Sequence, residues 1–480
     1  MSTATTASKD TRYYIHSIIA LCIMIFGRFV PAPYPLTPEG MLVLGVLVGA
    51  VYSYVNQNFF WGSIFGLLII GTSEITTVGA VFSSMMSNGT FMFLTALFLF
   101  VGYLNSVGFA RIVALKFVQA KVTKGRPWVL TLFLMIAAFL PASVMSVTAV
   151  FVMMLPILYA ICEEVGIQPT EKWPVLTAIG IASSCGLALG FWPFQVGPVV
   201  MFGQMAATGY EGGIPFAQYV AFMTVVIGLC LLSIVGVIKF LKPDVSKLYA
   251  YSPPEEKVEF TSDQKFSLFL VGLLLAWFIL PQFIPAGTPL RIFFAQFGPF
   301  AIASTIVAFG TFVRKDGKSR IDMLEATKGL QLWPMIIMVG SVLVMADILT
   351  RPEHGFVDFV SVNLAPIFGT GNALFFTIAI MFFALILTSF VQGSLVFTIM
   401  IPIVVPIAMA LGFPVMASIA PFAVVANMGI PLPSSHPLGA VLHGHEFVGP
   451  KMTLKYIWIF MGVFFLIALV IGVPLGMLIF

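Results

Sequence analysis

Charge is what this chain has least of. Asp, Glu, Lys and Arg make up 9% of its 480 residues and hydrophobic residues 60%, whereas an ordinary soluble domain is roughly 25% charged. No soluble fold hides that much apolar surface, so a water-soluble enzyme or binding module is excluded. The apolar runs recur along the whole length, which excludes a single anchor or a cleaved leader. Cysteine is scarce as well. Cys22, Cys162, Cys185 and Cys230 lie in or beside apolar stretches and form no zinc-like spacing with the five histidines, so they read as small core hydrophobes. A nucleophile with its base, a phosphate-binding glycine loop and a metal cluster are all missing, which argues against an ATP-driven pump or a membrane enzyme. The longest polar stretch, 241–263, is charged, contains proline and reads as a cytoplasmic linker. What remains is an all-α polytopic membrane protein with no nucleic-acid partner, placed in a cell membrane and most naturally a bacterial inner membrane.

A helix needs about 20 apolar residues to cross the hydrocarbon core. Spans are expected at 14–31, 41–56, 58–73, 91–107, 147–163, 174–190 and 216–240, then at 264–286, 291–313, 333–350, 390–411, 414–430 and 453–480. Allowing for interruptions, this amounts to about 11 transmembrane helices. Basic residues gather at Lys9 and Arg12, at 111–126, at 239–265 and at 314–328, which places all four clusters in the cytoplasm. With Lys451 and Lys455 added, only Arg28, Lys172, Arg291 and Arg351 of the basic residues are left for the other side. The acidic residues Glu39, Glu74, Glu163, Glu164, Glu171, Glu211, Glu353 and Asp358 are expected mostly on that other side.

Four stretches resist a plain bundle. The stretches 127–145 and 371–389 read as re-entrant hairpins. Two apolar runs, 174–209 and 414–446, read as broken helices, interrupted by Gly190, Pro193, Gly197 and Pro198 in one and by Pro431, Pro433, Pro437 and Gly439 in the other. Backbone broken at membrane depth persists only where it lines a protein cavity or a wet site. The irregular parts also repeat. SVMSVTAVFVMMLPI at 143–157 matches SFVQGSLVFTIMIPI at 389–403, pairing Thr148 with Ser394, Ser146 with Gln392 and Pro156 with Pro402. The segment before the first copy is strongly basic and the one before the second is not, so the repeats prefer opposite orientations. An N-terminal half (1–240) and a C-terminal half (264–480) then form two inverted repeats, the plan of carriers that bind solute near the midplane.

At hairpin tips and helix breaks, backbone groups lose their intrahelical partners. Helix N-termini there attract anions, and freed carbonyls can ligate cations. Candidate substrate-binding residues are Ser146, Thr148, Gln195, Gln392, Gly393, Ser394, Ser435 and His436. Candidate cation-binding residues are Ser143, Ser146, Gly186, Ser389, Gln392 and Ser434. A histidine at membrane depth is costly and commonly functional, so His436 could donate to a solute carboxylate, carry a coupling proton, or bond a backbone carbonyl. Asp347 could hold a cation or only pair with Arg351 four residues on. No buried arginine is apparent.

The order of hairpin, proline-bearing helix and broken helix resembles the divalent anion:sodium symporter family of the wider ion-transporter superfamily, and the likeness covers most of the chain. That family carries Ser-Asn-Thr at each hairpin tip, where this chain has Ser146-Val147-Thr148 and Gln392-Gly393-Ser394. Its Thr-Pro-Pro-Asn segments correspond to Gln195-Val196-Gly197-Pro198 and His436-Pro437-Leu438-Gly439. The resemblance implies a homodimeric, elevator-type secondary transporter with 109–122 and 353–364 as linking arms. It implies symport of a small dicarboxylate-like or sulfate-like anion with sodium or a proton, and no cofactor beyond that coupling cation. The alternatives are an uncoupled channel or facilitator, or a carrier from another branch with a different solute.

Overall fold

The computed structural model describes the chain except residues 1, 57–58, 254–258, 286, 329–332 and 369–371. Part of the linker, with Lys257, and the first residue of the 371–389 stretch therefore lie outside the described residues. The first half comprises Ser2–Phe26 (α1), Pro38–Asn56 (α2), Phe59–Gly71 (α3), Val78–Ser87 (α4), Gly89–Ser106 (α5), Phe109–Val118 (α6), Pro127–Ala142 (α7), Val147–Val165 (α8), Lys172–Ala188 (α9), Val196–Ala207 (α10) and Phe216–Phe240 (α11). The second comprises Ser262–Ile279 (α12), Pro289–Phe312 (α13), Met323–Lys328 (α14), Trp333–Leu349 (α15), Phe356–Phe359 (α16), Ala373–Phe390 (α17), Gly393–Ala410 (α18), Val415–Ala426 (α19), Pro437–Gly444 (α20), Gly449–Ile467 (α21) and Val473–Ile479 (α22). Among the described residues nine helices are long and apolar enough to cross a bilayer, and α13, bent by 79° near Gly298, adds a tenth when taken as one span.

Polar side chains place several helix starts. Asn88 Oδ1 accepts from the Thr90 and Phe91 N–H groups to open α5, Asn372 does the same for α17, and Thr261 with Gln264 forms a capping box on α12. Each satisfies donors that the first helical turn cannot satisfy itself. Prolines act inside the helices: Pro156 in α8 and Pro402 in α18 lack the N–H that would bond the carbonyl four residues back.

The hairpins are larger than the sequence suggests. Residues 127–142 form one helix, and it turns back only with α8, across the tip 143–146. Likewise α17 turns back with α18 across 391–392. The reason is length: an apolar stretch of 16 to 18 residues satisfies all its backbone groups best as a single helix, and the turn falls where a serine or glutamine can begin the next one.

That geometry corrects the sidedness of one loop. Because α8 returns towards its origin, the segment 166–172 lies beside the basic cluster at 239–247 instead of opposite it. Lys247 Nζ bonds the Gly166 carbonyl at 2.7 Å and lies 3.4 Å from Glu171, and Lys172 Nζ bonds the Leu241 carbonyl. Glu163, Glu164, Glu171 and Lys172 therefore sit on the basic side, leaving Arg28, Arg291 and Arg351 for the other. Helix α6 lies on the basic side as well, where Lys116 stacks on Phe260 and Gln264 bonds the Val107 carbonyl. The corresponding 356–368 segment runs along the opposite loop, with Asn363 bonding the Tyr34 carbonyl at 3.0 Å.

The halves interlock at the centre of the molecule. Helix α5 packs on α13, α10 on α18, α3 on α15 and α11 on α21, and α9, α15 and α19 are the most completely buried helices. The irregular segments meet in this shared core.

Candidate functional site

Four helices begin at the tips and breaks. Ser146 opens α8 and accepts from the Ala149 N–H at 3.4 Å, while Gln195, Gln392 and His436 stand at the starts of α10, α18 and α20. Each start leaves backbone donors and a partial positive charge facing the interruption.

The first tip and the first break are bonded to each other. Gln195 Nε2 donates to the Ser143 carbonyl. Trp192 Nε1 donates to Ser143 Oγ at 3.3 Å, and that hydroxyl donates in turn to the Leu140 carbonyl at 2.8 Å. Tyr219 Oη from α11 donates to the Gly190 carbonyl at 2.7 Å, holding the break from behind. Ser146 and Thr148 are half-buried at the tip.

The second tip and second break meet at a residue that sequence reasoning missed. Asn427, at the end of α19, is buried, and its Nδ2 donates to the Ala423 carbonyl at 2.8 Å. Its Oδ1 points between the halves. A Cβ added at Gly197 would lie 2.7 Å from that oxygen, and one at Gly393 would lie 3.3 Å from it and 2.5 Å from the Ala426 carbonyl. Glycine at 197 and 393 is thus the condition for the amide to reach both halves. Gly186 faces the same region, a Cβ there meeting Ile430 at 2.7 Å. One sequence signal existed: Asn427 is the only amide or charged residue in the apolar run 414–433.

The other candidates separate. Ser394 is buried with an Oγ lacking any partner among the described residues. Thr388 Oγ1 bonds the Ala426 carbonyl and Ser389 Oγ the Leu385 carbonyl, each at 2.7 Å, so Ser389 is occupied by its own helix. Gln392 Nε2 lies 3.7 Å from Met335 Sδ. Ser435 Oγ is held by the Leu432 carbonyl at 2.6 Å, whereas Ser434 is exposed. Buried His436 accepts from the Leu438 N–H at Nδ1, 3.1 Å away. That bond fixes the neutral tautomer with its proton on Nε2. Asp347 is exposed and pairs with Arg351 at 3.2 Å, away from the tips.

Beside the first break lies a cavity of about 1270 Å³, lined by Pro193 and Phe194 from the break and by Arg291 and Asp347 from the second half. Arg291 is half-buried there. No group of three or more His, Cys, Asp or Glu side chains that could hold a metal ion occurs among the described residues.

Comparison with known proteins places the chain. A family model described as a citrate transporter matches residues 40–352. The YdaH transporter of Alcanivorax borkumensis, described as having an unusual topology, is 13% identical, with 92% of this chain and 98% of that one covered at a TM-score of 0.61. MtrF of Neisseria gonorrhoeae, described with a class of antimetabolite efflux pumps, is 13% identical, with 96% of this chain and 94% of that one covered at a TM-score of 0.56. Likeness at that identity is likeness of fold. No curated protein matches the chain significantly.

Proposed function

The chain belongs to the citrate transporter family, and we propose that it carries a small polycarboxylate such as citrate, driven by a sodium or proton gradient. The observation that carries this reading is the set of four helix starts, at Ser146, Gln195, Gln392 and His436, gathered at two tips and two breaks. The N-terminal dipole at each of these interruptions favours an anion beside it.

In this reading Ser146, Thr148, Gln195 and Ser394 supply neutral hydrogen bonds to the solute, and His436 donates from Nε2 to a carboxylate. Protonating His436 would require Nδ1, the atom that accepts from Leu438. The helix start would lose its cap on every proton cycle, so the histidine suits a fixed donor better than a proton carrier. That favours sodium as the coupling ion, held by carbonyls freed at the breaks together with the Asn427 amide. The kinship with the divalent anion:sodium symporters, the inverted-repeat plan, an elevator stroke using 109–122 and 353–364 as arms, and a homodimer belong to the same proposal.

The test is uptake of radiolabelled citrate by proteoliposomes under an inward sodium gradient, with choline controls and an imposed proton gradient. Accumulation with sodium alone is expected. Failure to accumulate under either gradient overturns the reading.

A further inference from the structure

The cavity beside the first break is larger and more aromatic than a small polycarboxylate requires. Its volume, about 1270 Å³, exceeds the roughly 300–1,000 Å³ usual for small-molecule sites. One wall is a stack of rings that begins at the tip itself. Trp192, which donates to Ser143, stacks on Phe194 at 5.4 Å; Phe194 stacks on Phe278 at 5.1 Å; and Phe278 stacks on Phe216 at 5.5 Å. Trp277 adds a second face, 4.4 Å from the Phe294 ring.

Into this apolar space projects a single cation whose charge is unspent. Arg291 is half-buried; its Nη1 is shielded from solvent without a hydrogen-bond partner, and no salt bridge to Arg291 occurs among the described residues. The other charged group on the lining, Asp347, is taken by Arg351. Arg291 also stands in the first turn of α13, where a cation opposes the helix dipole. Helix stability therefore does not account for it. A half-buried guanidinium without an acceptor is stabilised when an anion completes it.

We propose that this cavity is a binding site for organic anions with an aromatic body, the acid group on Arg291 and the ring against Trp277 and the Phe194–Phe278 stack. The proposal rests on the transport reading for its purpose, since the ring stack leads from this site to the first tip. It widens the solute class from small polycarboxylates to aryl carboxylates.

The probe is 2-naphthoate, its binding to the full-length protein in nanodiscs of zwitterionic phospholipid measured by equilibrium dialysis. Saturable binding is expected, weakened by about tenfold or more in Arg291→Gln and several-fold in Trp277→Leu, which keeps the charge and removes the ring. Absence of saturable binding, or equal binding by wild type and both variants, overturns the proposal. So does native mass spectrometry showing an anionic phospholipid retained by wild type and lost from Arg291→Gln, because the cavity would then be a lipid site. Should Arg291→Gln fail to fold, Trp277→Leu and Arg291→Lys decide the matter by the same measurement. Citrate uptake is scored separately: uptake without naphthoate binding sinks this proposal alone, and Arg291-dependent naphthoate binding without citrate uptake sinks the polycarboxylate reading alone.

Discussion

His436 performs two jobs with its two ring nitrogens. Nδ1 caps α20 by accepting from Leu438, and Nε2 is left as a donor. The two can be separated by substitution. His436→Asn keeps an acceptor able to cap the helix, since asparagine is among the best N-cap residues, but moves the donor out of place. Its melting temperature is expected to stay near wild type while citrate uptake falls by an order of magnitude or more. His436→Ala should lose both, the absent cap costing about 1 kcal/mol. Uptake by His436→Asn equal to wild type would remove the histidine from the solute site. Asn427 teaches a different lesson. The resemblance leads one to look for an amide at position 393, where this chain has glycine. The structure supplies an amide from across the interface, in the space a side chain at 393 would enter. Sequence position alone could not show this, because residues 393 and 427 come together only through the packing of α18 against α19.

At the scale of elements, two histidines outside the spans tie segments together in their neutral form. His354, in the short turn after α15, is buried, and its carbonyl accepts from the Thr37 N–H at 3.1 Å, joining that turn to the start of α2. Burial holds its imidazole below the usual range; Arg351 lowers it further, while Glu353 and Glu39 oppose. His445 lies between α20 and α21, stacked on Tyr159 of α8 at 5.5 Å, with Nδ1 accepting from the Phe447 N–H. Burial lowers it too, against an opposing effect from Glu446. For both groups the unfolded chain binds the proton more tightly than the folded one. Their contribution to stability is therefore full above about pH 6.5 and is lost as pH falls through the folded-state values. Thermal melting of the protein in detergent should move down between pH 7 and pH 5. His354→Gln and His445→Gln should each flatten part of that slope; an unchanged slope in the double variant would refute the assignment.

For the whole molecule, sidedness is the property most open to direct test. Single cysteines at Lys172 and Lys247 should be labelled from the same face of the membrane by an impermeant maleimide, and a cysteine at Tyr34 from the other. The native cysteines would first be replaced by serine or alanine. Labelling of position 172 from the Tyr34 face would contradict the hairpin geometry of α7 and α8. The expectation of an outward 166–172 loop treated 147–163 as an independent crossing. The structure makes it the return arm of a helix pair, as the Lys247 contacts with Gly166 and Glu171 require. The same change strengthens the charge asymmetry from which the orientation was read, since Lys172 joins the basic side.

The sequence by itself determined the class of the molecule. Scarce charge and recurrent apolar runs admit only helices whose backbone groups are satisfied within each segment. It also marked where helices break, because proline and glycine act locally on the backbone, and Pro193, Pro431 and Pro433 interrupt their runs wherever the rest of the chain goes. Tertiary structure decided which irregular segments share a site. Gln195 reaches Ser143, Asn427 fits against two glycines, and Arg291 lines an aromatic cavity beside the first break, while Ser434 stands exposed. Those outcomes, Asp347 on the lining of that cavity included, depend on how two distant halves of the chain close on each other, and apolar packing between helices leaves little trace of its partners in either half alone.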